Sequence, residues 1–525
     1  MRRRTIGLTA VVGVVITGVG APAWATTYDI SPGANLGAEI AKLQPGDELV
    51  LAGGTYTLTA RLGVSVQGTA QSPIIIRSKD NETAHITRDA SQNVINIENA
   101  AYLIFRGLTV SGGSHGIRID KSSFITIEDC LIHSTADVGL SANISGSTYE
   151  GLIIRGNEIR NTSGTGEGMY LGCNNAACAL TKSLIEGNWV HHTDGSGVTQ
   201  GDGIELKTGS YENIIRDNVI HDTNYPCILA YGTDGKAQNL IERNAMWNCG
   251  DHGIQVAGDA IVRNNIILGA QADGLRNQTH QGATVQNLVI VHNTILNSGT
   301  ALRSDSIVSN VLIANNALYS QNGNALQLSG AVAQATVAGN VGKGGLQGTA
   351  QGFDGSGDVA SDFVDADHSG SKLNVYPKAG GKLIGAGDTT HVATDDYNGT
   401  LRAGVADVGA YKYDASGNPG GAVGPGFKSK VGSGGGPGTG GSTGSGGATA
   451  SGGTAGSGGS TASGGASSGG ASSGGSTASG GAASSSAGSD DGGCGCRTSP
   501  ASQRGSHALL GLLVAAGLLR RRRGR

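Results

Sequence analysis

The sequence predicts an all-β chain wound as a parallel β-helix, and three observations predict it. One six-residue pattern, apolar-x-x-Asn-x-apolar, recurs once per short repeat. Each repeat also holds brief runs that alternate apolar and polar residues, the period of a strand with one face buried. The composition disfavours the other large architectures: of 525 residues 92 are Gly and 10 are Pro, with 14% charged and 4% aromatic, and neither heptads nor a collagen period is present.

The pattern appears as Ile154-Arg155-Gly156-Asn157-Glu158-Ile159, Ile185-Glu186-Gly187-Asn188-Trp189-Val190 and Ile215-Arg216-Asp217-Asn218-Val219-Ile220. It continues through Asn244, Asn265, Asn293, Asn316 and Asn340, with Asp129 and Gly107 at the equivalent earlier positions. Steps range from 21 residues (244 to 265) to 31 (157 to 188), too short for propeller blades. The runs Gly203-Ile204-Glu205-Leu206-Lys207 and Gly253-Ile254-Gln255-Val256 are too short for helices and read as strands. Asn at a fixed place between two strands fits a tight bend with positive φ, and stacked Asn side chains can hydrogen-bond from coil to coil.

Taken from the N-terminus, residues 1–25 read as a secretory signal: Arg2, Arg3 and Arg4, an apolar run from Ile6 to Val19, and the small-x-small site Ala23-Trp24-Ala25. The β-helix is expected over 26–414. A stack of coils exposes apolar surface at each end and needs caps. Ala34 to Gln44, with Leu36, Ile40 and Leu43 apolar, is expected to be a short capping helix. The stretch that follows, Pro45-Gly46-Asp47-Glu48-Leu49-Val50-Leu51-Ala52-Gly53-Gly54-Thr55-Tyr56, resembles the opening coil of right-handed β-helix polysaccharide lyases, and the resemblance runs to about residue 340. It implies a right-handed helix and a polysaccharide ligand. Asp362 to Tyr413, with Thr394-Asp395-Asp396-Tyr397-Asn398-Gly399 and Ala406-Asp407-Val408-Gly409-Ala410-Tyr411, is similar to the closing segment of surface-anchored members.

Residues 415–493 are almost pure Gly, Ser, Ala and Thr and cannot bury a core, so they read as a disordered tether. Over about 80 residues a flexible coil reaches roughly 50 Å. Residues 494–525 combine Cys494-Gly495-Cys496, the apolar stretch Ala508 to Leu519 and a terminal arginine cluster. Twelve apolar residues span about 18 Å as a helix, short of the roughly 30 Å hydrocarbon core. The tripartite tail resembles the myxobacterial C-terminal sorting signal, which implies processing at Cys496, or at Cys494, by sorting machinery. It also implies attachment at the cell surface, on the outer membrane.

Without the three N-terminal arginines and the seven after Cys496, the formal charge falls from −4 to −14. An acidic chain with no basic stripe argues against nucleic acid as a partner, and the chain is expected to be a monomer. Cys173 and Cys178 bracket four residues, and Cys227 and Cys249 lie one repeat apart; both pairs are disulfide candidates in an exported chain, leaving Cys130 over. No cysteine pair has zinc-ligand spacing with histidine partners.

In the lyases that the chain resembles, the groove lies on the outward positions of one sheet. Alternation assigns one outward column to Arg118, Ser141, Tyr170, Glu205, Leu229, Gln255, Arg276 and Arg303, and a parallel one to Asp120, Asn143, Gly172, Lys207, Tyr231, Ala257, Gln278 and Asp305. Eliminative cleavage of a uronic-acid chain needs a cation on the sugar carboxylate, a base for the C5 proton and help for the departing O4. Lys207 is the candidate base. Arg276, or a Ca²⁺ on Asp202 and Glu205, is the candidate for neutralisation. His252 is a further proton-transfer candidate, and Tyr231, Gln255, His192 and Arg303 are candidate substrate contacts.

Glu205-Leu206-Lys207 is similar to the Glu- and Lys-containing coil of the chondroitinase and alginate lyase group. That group's Lys-Ser pair is replaced by Lys207-Thr208, and its Leu-Arg-His-Gly stretch finds Leu229-Ala230-Tyr231-Gly232, without the arginine. The plain alternative is that Glu205 and Lys207, about 7 Å apart along the strand, form an exposed ion pair. A hydrolase would need paired carboxylates; the conspicuous adjacent pair is Asp395-Asp396, outside the coils. The competing class of function is a non-catalytic surface adhesin or carbohydrate-binding protein. With 3 Trp and 5 Phe, stacking platforms for neutral sugars are scarce, which favours polar or charged glycans, and an acidic polysaccharide is the expected partner.

Overall fold

The computed structural model describes residues 25–349 and 351–429. Most of the signal segment 1–25, most of the linker 415–493, and Cys494 and Cys496 lie outside the described residues. The chain winds through about 11 turns of an all-parallel β-solenoid with very little helix. Three sheets run along the axis, and in the regular coils each strand pairs with the strand three elements later in the chain. One sheet stacks Met169–Leu171, Ile204–Leu206, Ile228–Ala230, Ile254–Val256 and Leu275–Asn277; a second stacks Leu184–Glu186 and Ile214–Arg216; a third stacks Trp189–Thr193 and Val219–Thr223. Period-two alternation turns Ile154, Ile185, Ile215, Ile204 and Ile228 inward, where they are fully buried in one continuous core.

The asparagines form the spine of this stack. From Asn157 to Asn340, each Oδ1 accepts from the backbone N–H of the ladder residue one coil earlier, at 2.9–3.0 Å. Each Nδ2 donates to a carbonyl of the earlier coil, as Asn218 does to Ile185 at 3.0 Å. The expectation that Asn itself takes the positive-φ bend is corrected: the residue before it does, as Gly156 (62°), Gly187 (62°), Asp217 (57°), Arg243 (55°) and Asn264 (55°). The division follows from burial, since the asparagine must aim its amide into the dry interior while the left-handed residue sits at the outer corner. Asp129 and Gly107 belong to that corner column, with φ of 54° and 67°. The ladder position below Asn157 is Cys130, whose N–H donates to Asn157 Oδ1 at 3.0 Å. A second ladder, Ser183-Asn213-Asn239, runs along another corner and was not read from the sequence.

The capping helix is shorter than expected, Leu36–Ile40, with Asn35 accepting from the Ala38 N–H. It still buries Leu36 and Ile40 over the first coil, and Leu43 follows in a turn. The closing segment packs against one side of the coils. Arg402 is wholly buried there, donating to the carbonyls of Asp395, Asp407, Gly409, Ala410 and Tyr411 and to Asn264. Packing continues past residue 414: Lys428 reaches Asp217 at 2.7 Å and the Tyr397 carbonyl at 2.6 Å.

Candidate functional site

The strand register sets Arg118, Ser141, Tyr170, Glu205, Leu229, Gln255, Arg276 and Arg303 side by side, one per coil, on the outward face of the first sheet. Two residues further along the same strands stand Lys207 and Tyr231. Lys207 and Glu205 are buried, at 4% and 1% side-chain exposure, and so is Tyr231, so the alternative of an exposed ion pair is corrected. Two loops lie close by: the disulfide-closed turn at Cys173–Cys178 and the turn at His280–Ala283. Gln281 Nε2 donates to Asn174 Oδ1 at 3.1 Å between those loops, and His280 lies 4.8 Å from the Tyr231 ring.

Beside those loops the groups converge on Lys207. Its ammonium pairs with Glu205 Oε1, stands 3.4 Å from the Tyr231 hydroxyl, and lies 4.5 Å and 5.0 Å from the ring centres of Tyr170 and Tyr231. Tyr231 donates to Glu205 Oε1 at 3.1 Å. Tyr170 is only half-buried, so part of its side chain reaches the surface.

Behind this pair sit Glu167 and Asp202, both wholly buried at the start of consecutive strands. Glu167 Oε1, both Asp202 oxygens and Glu205 Oε2 have no hydrogen-bond partner. One oxygen from each residue lies within 4.8 Å of the others, a span that ligands about 2.3–2.6 Å from a Ca²⁺ would occupy. Unpartnered buried carboxylate oxygens are expensive, and a hard cation satisfies them. The donor set therefore fits Ca²⁺, with Glu167 as a third ligand beside Asp202 and Glu205.

Burial is the largest influence on Glu167, Asp202, Lys207 and Tyr170. It pushes the Glu167 carboxyl up to about 7, with the Glu205 charge adding to it. Asp202 is raised well above the ordinary carboxyl range by burial, then by Glu205 and Glu167. Burial acts to lower the Lys207 ammonium, but Glu205 and Tyr170 outweigh it and the lysine is raised. The Tyr170 phenol is pushed up to about 12 by burial, against the pull of Lys207.

A family model described as "Pel9A-like, right handed beta helix region" matches residues 25–188, and one described as "Right handed beta helix region" matches 172–342. The chain is a right-handed parallel β-helix. No curated protein matches it. Among solved structures it is similar to an alginate lyase from Paenibacillus sp. str. FPU-7, at 20% identity over 50% of this chain and 99% of that one, with a TM-score of 0.38. It is also similar to the pectate lyase Pel9A, at 16% identity over 75% and 97% with a TM-score of 0.43. A mannuronic-acid-specific family 6 lyase from human gut microbiota shares 17% identity over 63% and 90%, with a TM-score of 0.42.

The β-helix does not bring every predicted site residue to this centre. Arg276 stands three coils from Glu205, about 14 Å at 4.8 Å per coil. Its guanidinium is spent on Asp273 (2.9 Å), Asp305 (2.8 Å) and Gln278 (3.2 Å), so it does not neutralise a carboxylate beside Lys207. Arg303 joins that separate cluster through Asp305 at 2.9 Å. His252 lies there too: it accepts from the Asp273 N–H at 3.1 Å, and burial and Arg276 lower its pKa to about 3. Gln255 lies one coil from Tyr231's strand, 3.4 Å from His280. His192 is on the third sheet, against His191 and His221, and takes no part.

Two disulfides shape the site. Cys173–Cys178 closes the neighbouring loop, and Cys227–Cys249 ties the start of the Tyr231 strand to the preceding sheet, with Cα separations of 4.9 and 5.4 Å. Cys130 is free and buried. Asp395 and Asp396 form no hydrolytic pair: Asp395 is bound by Arg243 at 2.6 Å, while Asp396 accepts backbone N–H groups of Asn398, Thr400 and Lys412. Sequence reading gave Glu167 and Tyr170 no role. The signal for Glu167 was its acid-Gly step before a strand, the same step as Asp202-Gly203.

Proposed function

We propose that the chain is an exported, surface-tethered polysaccharide lyase that cleaves uronic-acid-containing glycans by β-elimination. The single observation that carries this reading is Lys207, held between two tyrosine rings and beside three clustered carboxylates on the outward face of a β-helix. The Pel9A-like match over 25–188 supports it. Export and tethering rest on the signal segment and the sorting tail.

Lys207, in its neutral form, takes the C5 proton; the C5–H electrons form the C4=C5 double bond and the C4–O4 bond breaks. Tyr170, the partly exposed tyrosine beside it, donates its phenolic proton to O4. The resulting Lys207 ammonium returns a proton to the Tyr170 phenolate across their contact, restoring both groups. Tyr231 fixes Glu205, and so the position of the ammonium, by its hydrogen bond. Ca²⁺ held by Glu167, Asp202 and Glu205 would supply positive charge toward the sugar carboxylate and favour the neutral lysine.

The test is incubation of the full chain with alginate, pectate and glycosaminoglycans, with and without Ca²⁺, followed at the absorbance of the unsaturated product. Product with at least one glycan, lost on chelation, is expected. No product across the panel, with glycan binding unchanged in Lys207→Ala, would overturn the lyase reading in favour of a carbohydrate-binding protein.

Metal binding must displace protons from Glu167 and Asp202, whose folded pKa values lie above their ordinary range. For such carboxyls the folded state holds protons that the unfolded state releases, so their contribution to stability is lost as pH rises from about 4.5 through about 7. Ca²⁺ at 100 times its Kd is expected to add about 2.7 kcal/mol at pH 8 and little at pH 5, read from urea unfolding midpoints. Equal shifts at both pH values, or none at pH 8, would remove Ca²⁺ from the site.

A further inference from the structure

We infer that the outward face of the third sheet carries a metal site of its own, apart from the carboxylates beside Lys207, where His192 Nε2 and Asp222 Oδ2 take a divalent transition-metal ion such as Zn²⁺ or Cu²⁺. The two residues occupy the same corner position on consecutive coils, each directly after the paired His191 and His221 and each with a left-handed φ of 54°. Their facing atoms stand 3.9 Å apart, and the His192 side chain is 52% exposed, so an ion and its waters reach the pair from solvent.

The hydrogen bonds around the pair leave that gap without a proton. The Trp189 indole donates to His221 Nε2 at 2.9 Å, so His221 carries its proton on Nδ1 and donates it to Asp222 Oδ2 at 2.7 Å. His191 Nε2 faces Glu158 Oε1 at 3.3 Å, which calls for a proton on that nitrogen and leaves Nδ1 as an acceptor. His192 Nδ1, 2.6 Å from His191 Nδ1, is therefore the donor, and its Nε2 holds a lone pair. A lone pair and a carboxylate oxygen thus face each other, and a cation satisfies both. The surroundings are those of metal ligands. A ligating histidine donates its other N–H to a fixed acceptor, and a ligating carboxylate is itself hydrogen-bonded. His192 does the first through His191 to Glu158, and Asp222 does the second through His221 and Asn248. Metal–nitrogen and metal–oxygen bonds of about 2.0–2.2 Å span the gap, with water completing the shell. Imidazole with carboxylate suits Zn²⁺ or Cu²⁺, whereas the all-oxygen set of Glu167, Asp202 and Glu205 suits Ca²⁺. Asp194, exposed two residues on, adds negative charge that is felt at His221. Arg160, one coil back, is held by Glu158 at 2.7 Å and Asn161 at 2.8 Å.

Tryptophan emission reads this site directly. Trp189 stacks on His191 at 4.1 Å and Trp247 on His221 at 4.5 Å, and Trp24→Phe in the full chain removes the third tryptophan. Cu²⁺ added in excess Ca²⁺ is expected to quench the emission saturably, at one ion per chain, and Zn²⁺ to restore it by displacement. His192→Gln, at an exposed position, and Asp222→Asn are each expected to weaken Cu²⁺ binding at least ten-fold. The urea unfolding midpoint of metal-free His192→Gln is expected to match the wild type, which separates lost ligation from lost packing. Quenching that does not saturate, that excess Ca²⁺ abolishes or that His192→Gln leaves unchanged would overturn the site, as would a midpoint that falls together with binding. The assay contains no glycan, so its outcome is independent of the lyase reading.

Discussion

Lys207→Ala is expected to lower kcat for eliminative cleavage by roughly 10³-fold, the loss that follows removal of a positioned proton acceptor. It also leaves Glu205 buried at 1% exposure without its ammonium partner, and breaking such a pair costs about 3–5 kcal/mol. Stability and chemistry are separated by Lys207→Arg, which keeps a positive charge beside Glu205 and over the Tyr170 and Tyr231 rings but stays protonated. That variant is expected to fold with a near-native unfolding midpoint and to remain inactive. Activity in Lys207→Arg within ten-fold of the wild type would show that the lysine acts as a charge and not as a base. In the wild type the raised lysine makes the rate climb with pH through the alkaline range, because only its neutral form can accept a proton. Ca²⁺ is expected to move that limb toward lower pH, and a limb that ignores Ca²⁺ would separate the metal from the lysine.

Asn218→Ala is expected to destabilise the β-helix by about 4 kcal/mol. The Asn218 side chain donates to the Ile185 carbonyl and to Asn244 Oδ1, and its own oxygen accepts from both the backbone N–H and the amide of Asn188, all at 2.9–3.0 Å. Removing it strands a carbonyl and two N–H groups in the interior, at about 1–3 kcal/mol each. Urea unfolding measures the effect, and a shift below about 1 kcal/mol would mean that water replaces the lost partners. Because neighbouring coils share each bond, a second change at Asn244 is expected to cost less than the first; independent ladder sites would instead give additive losses.

The winding itself was legible because a parallel β-helix repeats one physical demand on every turn. An inward Ile or Val and a buried amide that bonds to the coil below leave a mark at each of Asn157, Asn188 and Asn218. Period-two alternation then sets which residues point outward, so Tyr170, Glu205 and Gln255 fall into one column without any knowledge of the loops. The positive-φ residue was placed one position late because Asn suits both a left-handed bend and a buried amide, and only burial separates the two.

Function was less legible, since it depends on contacts that no repeat records. Near Lys207, Asn174 meets Gln281 from 107 residues away, and the ion pair that the strand alone would leave at the surface is buried. Arg276 looked free in a column of outward residues until Asp273, three residues earlier in its own coil, and Asp305, one coil on, closed around it. The amino-acid order alone therefore determined the coil, its core and its outward columns, because those follow from bonds between one turn and the next. Only the tertiary structure decided which charged side chains are dry, paired or left with unmet oxygens, because desolvation and Coulomb energy depend on everything that surrounds a group and not on its place in a period.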